Sequence, residues 1–219
     1  MASIDLSAAF DMVNVDLLIS RLRIIGLPVD LVGLIEIWLK KRIFYVHIDG
    51  LNSKFYSTNT GTIQGSILGP ILYAIYVSPL FDLTNLSNFA DDNFALTWHA
   101  SKQVTILKMQ NTLKIITDWL KDSGLKVNKE KTELCLFYKR DTQPIEIILN
   151  NVTVKSLPYM NVLGVCFDSK LNWSRHVANT INKANKALHA IRLIKKYFNH
   201  QEILQLLTAN FYSILFYNS

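Results

Sequence analysis

Two adjacent carboxylates interrupt an apolar stretch of this chain, and this break most constrains the fold. Asp91 and Asp92 are flanked on both sides by short apolar segments. This pattern predicts two strands joined by a tight turn, with the acidic pair at the turn. Asp5 ends a similar apolar segment at the start of the chain. We therefore expect a sheet in which Asp5 stands beside the pair.

Carboxylates gathered in this way need a counter-charge. Two of them ~4 Å apart repel by roughly 4 kcal/mol at an effective dielectric of about 20. A divalent cation removes this penalty, and hard oxygen ligands select magnesium or manganese. Such a donor set suits two-metal phosphoryl transfer. Asp pairs also occur in ordinary turns, because Asp hydrogen-bonds its own backbone, so the pair alone leaves both interpretations open.

A glycine-rich segment lies between the two acidic sites. Residues 61–70 read Gly-Thr-Ile-Gln-Gly-Ser-Ile-Leu-Gly-Pro, and an apolar, helix-like run follows to residue 77. Glycine lets the backbone approach a ligand closely, and a helix start offers free N–H groups. Taken alone, the segment is equally well explained as a glycine turn. Two more blocks follow at residues 124–133 and 163–165.

The order and spacing of these blocks resemble the reverse transcriptase of a non-LTR (LINE-type) retrotransposon, whose palm motifs are lettered A to E. The resemblance covers essentially the whole chain. Its motifs are Asp5 with Phe10, Gln64-Gly65-Ser66 with Leu68-Gly69-Pro70, Phe89-Ala90-Asp91-Asp92, and Lys131-Thr132-Glu133. The resemblance implies an RNA-directed DNA polymerase that transfers a nucleotide from a dNTP to a DNA primer 3′-hydroxyl on an RNA template. It also implies two Mg²⁺ ions, with Mn²⁺ as an alternative.

The resemblance assigns a metal-binding role to four residues. Asp5 and Asp91 would be the principal ligands of both ions. Asp92 would be a supporting carboxylate, and the main-chain carbonyl of Leu6 a further ligand.

The resemblance also assigns the nucleotide pocket. Phe10 would be the steric gate, whose ring occupies the place of a ribose 2′-hydroxyl, although a lone Phe is by default a core aromatic. Gln64, Gly65 and Ser66 would line the pocket for the incoming nucleotide and its template base.

A later lysine and a later three-residue segment are given roles only by the resemblance. Lys131 would protonate the departing pyrophosphate as a general acid, and a solvated surface lysine is the alternative. Leu163, Gly164 and Val165 would form the primer grip, for which a buried strand is the alternative.

Positive charge is concentrated in the later part of the chain. Residues 1–92 carry 6 basic and 9 acidic side chains, whereas residues 93–219 carry 17 basic and 8 acidic ones. Surfaces of this kind bind phosphate backbones by counterion release. The charge distribution therefore predicts a nucleic-acid partner.

The basic part is most regular in an expected helix from Ser174 to Phe198. Apolar residues recur at helical spacing at Val177, Ile181, Ala184, Leu188 and Ile191. The other side carries the cations Arg175, Lys183, Lys186, Arg192 and Lys196. These cations would follow a primer–template duplex from a thumb helix. A solvated amphipathic helix and a helix on an anionic membrane are the alternatives.

The expected fold class is α+β: a right-hand polymerase palm, with a central antiparallel sheet and helices on one face, followed by a helical thumb. Periodicity and turn signals predict helices near residues 15–25, 29–41, 69–77, 106–120 and 201–216. A hairpin should turn at residues 49–50, and strands should lie near 134–138, 146–149 and 162–167. Residues 1–157 would be the palm, and 158–219 the primer-grip region and partial thumb. The fingers would be missing, so we expect a palm-plus-thumb fragment.

Several other classes are disfavoured by the sequence. The 219 residues are 50% hydrophobic, which suffices for a core and argues against disorder. Cys135 and Cys166 lack metal-binding or disulfide spacing. The N-terminal residues do not resemble a signal peptide, and the apolar run at 67–81 is too short for a bilayer. We expect an intracellular protein, nuclear or cytoplasmic, without a membrane partner.

Three functional alternatives stay open beside the polymerase. A catalytically inactive, truncated retrotransposon remnant would still bind nucleic acid through its basic helix. A two-metal nuclease is compatible with the carboxylates but leaves Phe10 and Gln64-Gly65-Ser66 unexplained. An aspartic protease is less compatible, because neither acidic motif carries Asp-Thr/Ser-Gly.

Overall fold

The computed structural model describes residues 1–40, 42–89, 92–128, 130–138, 143–149 and 152–217. The helices are α1 (Val15–Ile24), α2 (Val29–Leu39), α3 (Leu68–Leu83), α4 (Lys102–Asp122), α5 (Ser174–Ile194), α6 (His200–Leu207) and α7 (Ser213–Phe216). The strands are β1 (Ala2–Ile4), β2 (Arg42–Phe44), β3 (His47–Ile48), β4 (Leu51–Asn52), β5 (Tyr56–Thr58), β6 (Leu86–Phe89), β7 (Asp92–Ala95), β8 (Glu133–Cys135), β9 (Glu146–Leu149), β10 (Val152–Leu157), β11 (Tyr159–Val162) and β12 (Val165–Asp168).

The chain forms two compact units. The first unit contains residues 1–134 and 145–155, and the second contains residues 135–144 and 156–219. Within the described part of the chain, no helix is both long enough and apolar enough to cross a bilayer.

A six-stranded sheet organises the first unit in the order β6-β7-β1-β8-β10-β9. The pairs β1–β7, β6–β7, β1–β8 and β9–β10 are antiparallel, as the sequence predicts for a central antiparallel sheet. Ile147 and Leu149 are buried in β9, whereas Glu146 and Ile148 are exposed. Since successive side chains of a strand point to opposite faces, this alternation shows a sheet covered on one face.

Helix α4 closes the outer edge of this sheet. β9 is the last strand, so its free edge presents unpaired backbone groups. The Gln110 side chain satisfies both groups of Ile148: Oε1 accepts from its N–H at 3.0 Å, and Nε2 donates to its carbonyl. Met109, Leu113 and Ile116, which lie along one face of this helix, are buried.

Helix α3 runs beyond its predicted end. Pro79 suggests a stop near Val77, but the helix continues to Leu83 with the proline inside it. Proline lacks the N–H that would pair with the carbonyl four residues earlier. Here the Ser78 hydroxyl donates to that carbonyl, on Ile75, at 3.0 Å. The local side chain therefore replaces the missing bond.

Strand predictions after residue 130 are only partly correct. The strand predicted near residues 146–149 is confirmed as β9. The sequence analysis did not predict β10 or β11. The single strand predicted at 162–167 is wrong. Leu163 and Gly164 instead form the turn between β11 and β12, with φ of 48° and 84°. Positive φ at both turn residues is the type I′ geometry that matches strand twist.

Helices dominate the second unit, as predicted. α5 coincides closely with the basic helix, and α6 and α7 are joined through a π-helical turn at Thr208–Tyr212. The apolar face of α5 is only partly buried: Ala184 and Ile191 are buried, whereas Val177 and Ile181 are about half exposed, at 51% and 49%. Periodicity therefore predicted the helix correctly but overestimated its buried face.

Candidate active site

Strand pairing brings two of the predicted metal ligands to the same end of the sheet. Ile4, the last residue of β1, pairs with Asn93 of β7 in antiparallel register. Asp5 directly follows Ile4, and Asp92, the first residue of β7, directly precedes Asn93. Asp5 is half-buried and Asp92 is exposed, so solvent and ligands can reach both side chains.

The backbone around Leu6 is hydrogen-bonded on one edge to residues 126–128. Ser7 donates its N–H to the Lys126 carbonyl, and Asn128 donates to the Asp5 carbonyl, each at 2.8 Å. These two bonds flank the Leu6–Val127 bridge. Because backbone groups alternate between strand edges, the Leu6 carbonyl is directed to the opposite edge, where β1 pairs with β7. The further-ligand role of this carbonyl stays a prediction.

Asp91, the other principal ligand expected, lies outside the described residues. Among the residues that are described, no three His, Cys, Asp or Glu side chains form a group able to hold a metal ion. The predicted trio needs Asp91, so its metal-binding role stays a prediction. No basic side chain of the described residues forms an ion pair with Asp5.

A cavity of about 320 Å³ lies where the nucleotide pocket is predicted. Its lining comprises Phe10, Ile63, Gln64, Gly65, Gly69 and Pro70. The predicted gate residue and two of the three predicted pocket residues therefore meet around one space. The ring of Phe10 also packs on Tyr73, with centroids 4.6 Å apart, which limits the movement of the ring.

Direct backbone contact holds the two segments of this cavity together. Gly61 donates its N–H to the Val13 carbonyl at 2.7 Å, and Thr62 donates to the Phe10 carbonyl at 2.8 Å. Gly61 has φ of +80°, and a Cβ on it would lie 2.8 Å from the Asp11 Cα. Only glycine therefore permits this close approach.

Ser66 has a local role in this structure. Its hydroxyl donates to the Ile63 carbonyl at 2.6 Å and accepts from the Gly69 N–H at 3.0 Å. These bonds connect the loop to the first turn of α3. Contact between Ser66 and a nucleotide stays a prediction.

Asp11 is a site residue that the sequence analysis missed. Its carboxylate accepts from the Gln64 side-chain amide, with Nε2 at 3.1 and 3.2 Å from the two oxygens. A carboxylate only accepts, so the amide oxygen of Gln64 must turn away from Asp11. The sequence showed only an acidic residue directly after Phe10. Its hydrogen-bond partner, Gln64, lies 53 positions away, so the sequence alone did not connect the two residues.

Lys131 is exposed on a loop that begins at the site. Asn128, whose N–H binds the Asp5 carbonyl, also closes this loop. Its carbonyl accepts from the Thr132 hydroxyl at 2.8 Å, and its side-chain oxygen accepts from the Glu130 N–H at 3.2 Å. The lysine is therefore three residues from an anchor on Asp5.

A buried polar cluster supports helix α3 behind the site. The Tyr76 hydroxyl donates to the Ser123 carbonyl and accepts from the Asn14 N–H. The Arg21 guanidinium lies over the Tyr76 ring, 4.5 Å from its centroid, and 5.1 Å from that of Trp119. Burial lowers the pKa of Arg21 and raises the pKa of Tyr76. The cluster ties α3 to α1 and to the end of α4.

The predicted primer-grip residues occupy an anchored turn in the second unit. Leu163 is 41% exposed, so the buried-strand interpretation is wrong. The Tyr217 hydroxyl donates to the Leu163 carbonyl at 2.7 Å. A Cβ on Gly164 would lie 3.1 Å from the Tyr217 ring, so the turn packs closely on the end of α7.

The second unit carries the net charge of the whole chain. It contains 9 basic and 3 acidic residues, whereas the first unit contains 14 of each. All five predicted cations of the helical segment are exposed. One of them, Arg175, stacks on Tyr159 with its guanidinium carbon 3.5 Å from the ring centroid.

Comparison with known families identifies the chain. The family model described as reverse transcriptase (RNA-dependent DNA polymerase) matches residues 1–190. The chain belongs to the reverse transcriptase family. The predicted resemblance to non-LTR elements is confirmed by relatives from Drosophila melanogaster. The RNA-directed DNA polymerase from mobile element jockey is 29% identical over 81% of this chain, and the probable one from transposon BS is 27% identical over 86%.

This reverse transcriptase chain corresponds to part of those relatives. It covers 20% of the jockey protein and 22% of the BS protein, so it spans about a fifth of their length. The third relative, a probable RNA-directed DNA polymerase from transposon X-element, is 27% identical over 70% of the chain and is covered to 18%.

Solved structures support the fold at a coarser level. Apo telomerase from Candida tropicalis, truncated from the C-terminal domain, superposes with a TM-score of 0.51 over 78% of this chain and 34% of its own, at 18% identity. Telomerase from the same organism in complex with a fragment of telomeric RNA gives 0.51 over 80% and 30%, at 15% identity. These similarities and the mixed α and β architecture fit a polymerase palm-like fold.

Proposed function

We propose that this chain is the catalytic and primer-binding part of an RNA-directed DNA polymerase. The primer 3′-hydroxyl would attack the α-phosphate of a bound dNTP, forming a phosphodiester bond and releasing pyrophosphate. The observation that carries this proposal is the single cavity that joins Phe10 with Gln64 and Gly65, in a chain where β1 ends just before Asp5 and pairs with β7, which begins at Asp92. The first unit would act as palm and the second as thumb.

The chemistry of the predicted donor set fits magnesium. Asp5, Asp91, Asp92 and the Leu6 carbonyl are hard oxygen donors, which this ion prefers. The Asp5 carboxylate has no basic partner among the described residues, and a metal would balance its charge. Two magnesium ions bound there would polarise the reacting phosphate and stabilise the attacking and leaving oxygens.

The protein residues would orient the nucleotide beside this site. Phe10 is braced by Tyr73, so its ring can exclude a 2′-hydroxyl without moving aside. Gly65 has open space at its α-carbon, which lets a base pair approach its backbone. Gln64 would hydrogen-bond that pair. Lys131 would donate a proton to the departing pyrophosphate from its anchored loop.

A second candidate function is nucleic-acid binding without catalysis. The confinement of the entire net charge to the second unit favours it, because that unit could bind a duplex by counterion release whatever the state of the metal site. This candidate predicts salt-sensitive binding to an RNA–DNA hybrid with no nucleotide incorporation.

The two candidates are separated by primer extension. The chain, its Asp91→Asn variant and its Asp118→Asn variant are compared for magnesium-dependent extension of a DNA primer on an RNA template. Asp118 is exposed on α4 and serves as a matched control for loss of one carboxylate. The polymerase proposal predicts a loss of at least about a hundredfold for Asp91→Asn and an unchanged rate for Asp118→Asn.

The gate residue gives a second, independent measurement. Phe10→Ala should raise incorporation of ribonucleotides relative to deoxynucleotides, because the ring that blocks the 2′-hydroxyl is removed.

Extension that survives Asp91→Asn would refute the catalytic assignment. If the unchanged chain, Asp91→Asn and Asp118→Asn all bind the hybrid but none of them extends the primer, the binding function is favoured.

A further inference from the structure

A cavity of about 220 Å³ lies beside the β11–β12 turn in the second unit. Its polar lining comprises His176, Thr180, Lys183, Ser213 and Tyr217, and Gly164 of the turn completes one wall. The first three of these residues lie on α5 at positions i, i+4 and i+7. This spacing places them on one face of the helix. Three polar side chains therefore converge on the same space.

Hydrogen bonding determines what His176 can offer there. Its Nδ1 accepts from the Cys166 backbone N–H at 3.3 Å. An imidazole nitrogen that accepts a hydrogen bond carries no proton, so the proton of the neutral ring is on Nε2. The ring is therefore left with a donor. Thr180 adds a hydroxyl, and Lys183 adds an ammonium group with three donors.

The charge around the cavity favours an anion. Among the described residues, no carboxylate lines it, and no acidic residue occurs in the sequence from Ser169 to Gln201. Lys183 forms no ion pair within the part of the chain that is described. An exposed ammonium beside two further donors, without an anion from the described residues, is suited to a ligand that brings its own negative charge.

We propose that His176, Thr180 and Lys183 bind one phosphate group of a nucleic-acid strand that runs past the Leu163–Gly164 turn. The Tyr217 hydroxyl, in the cavity wall, is bonded to the Leu163 carbonyl. The site and the turn are therefore fixed to each other, and a phosphate held in the cavity would set the register of the strand at the turn. This inference rests on the proposed function and adds a defined anchoring site to it.

Matched lysine variants of the whole chain test the site. Lys183→Gln and Lys170→Gln each remove one positive charge from an exposed residue of the second unit, but only Lys183 lines the cavity, and Lys170 is not among the cations assigned to the duplex. Lys183→Gln should weaken binding to an RNA–DNA hybrid about tenfold, as expected for a charged hydrogen bond. The plot of log affinity against log salt should become shallower by about 0.9. Lys170→Gln should change the affinity by less than about threefold.

Thr180→Val tests the contribution of the uncharged hydroxyl donor in the cavity. It keeps the shape of the side chain and removes one donor, so it should weaken binding about threefold to tenfold without changing the salt dependence. Equal effects of Lys183→Gln and Lys170→Gln would overturn the proposal, because a diffuse basic surface does not distinguish the two lysines. Far-ultraviolet circular dichroism checks that each variant is folded.

An NMR titration separates this inference from the proposed function. Inorganic phosphate should shift the Nε2 resonance of His176 in the wild type and leave it unchanged in Lys183→Gln. Hybrid should shift the same resonance at far lower concentration, because a strand adds further contacts. A response to inorganic phosphate without hybrid binding would contradict the proposed function and reduce the site to one for free phosphate. Hybrid binding that leaves His176 unperturbed would refute the inference alone.

Discussion

Replacing Gly61 by alanine should separate the two segments that form the cavity. The added Cβ would lie 2.8 Å from both the Cα and the carbonyl oxygen of Asp11, and 3.0 Å from the Phe10 oxygen. All three atoms belong to backbone, so the clash is not relieved by rotation of a side chain. The segment containing Gly61 must move away from residues 10–13.

The expected loss of stability has two parts. An L-residue in left-handed backbone costs about 1–2 kcal/mol, and Gly61 has φ of +80°. Separation of the segments also breaks the bonds from Gly61 to Val13 and from Thr62 to Phe10, each with a net value of about 1 kcal/mol. The sum is about 3–4 kcal/mol, a large part of the 5–15 kcal/mol typical of a folded domain.

Gly65→Ala is the matched control. Gly65 has φ of +78°, but no atom lies within 4 Å of the position that an added Cβ would take. It therefore has the backbone penalty alone, about 1–2 kcal/mol. Urea unfolding of both variants, with the m-values compared, should show Gly61→Ala less stable by about 2 kcal/mol. Equal stability of the two variants would refute the argument from close backbone contact.

The remaining predictions concern the second unit. Tyr217→Phe removes the hydroxyl that donates to the Leu163 carbonyl. Since such a bond contributes about 1 kcal/mol, amide hydrogen exchange at the β11–β12 turn should become about fivefold faster. Tyr212→Phe is the control, and equal exchange rates in both variants would contradict the anchoring role. Desolvation acts to raise the pKa of Asp168, but hydrogen bonds from backbone amides outweigh it and lower the pKa below its ordinary value of 3.8. The stabilisation by Asp168 should therefore be complete above pH 3.8 and be lost as the pH falls through the lower folded value. Acid titration followed by circular dichroism should show this loss in the wild type, and Asp168→Asn should remove that part of the pH dependence.

Local patterns were sufficient for most helices. Hydrophobic periodicity predicted α1, α4 and α5 with ends close to those observed. The end of α3 was wrong, because the rule that proline stops a helix does not include the Ser78 hydroxyl that replaces the lost bond. The hairpin turn at residues 49–50 was correct, since Asp-Gly is a strong local turn signal.

Short strands were the less predictable part of the fold. β10 and β11 have no periodic signal strong enough to separate them from loops, and a strand is stabilised mainly by partners distant in sequence. The turn at Leu163 illustrates this: a leucine with positive φ contradicts local preference. Tyr217, 54 positions away, donates the hydrogen bond that anchors it.

The sequence by itself determined the family and the kinds of residue at the site, because motif order and spacing are properties of the linear chain. It also determined the charge of the second half. Only the tertiary structure decided which residues meet: Ile4 and Asn93 through strand register at the end that carries Asp5 and Asp92, Gln64 on Asp11, Gly61 against residues 10–13, and His176 on Cys166 beside Lys183. These contacts depend on distances between segments far apart along the chain, and residue type alone does not specify such distances.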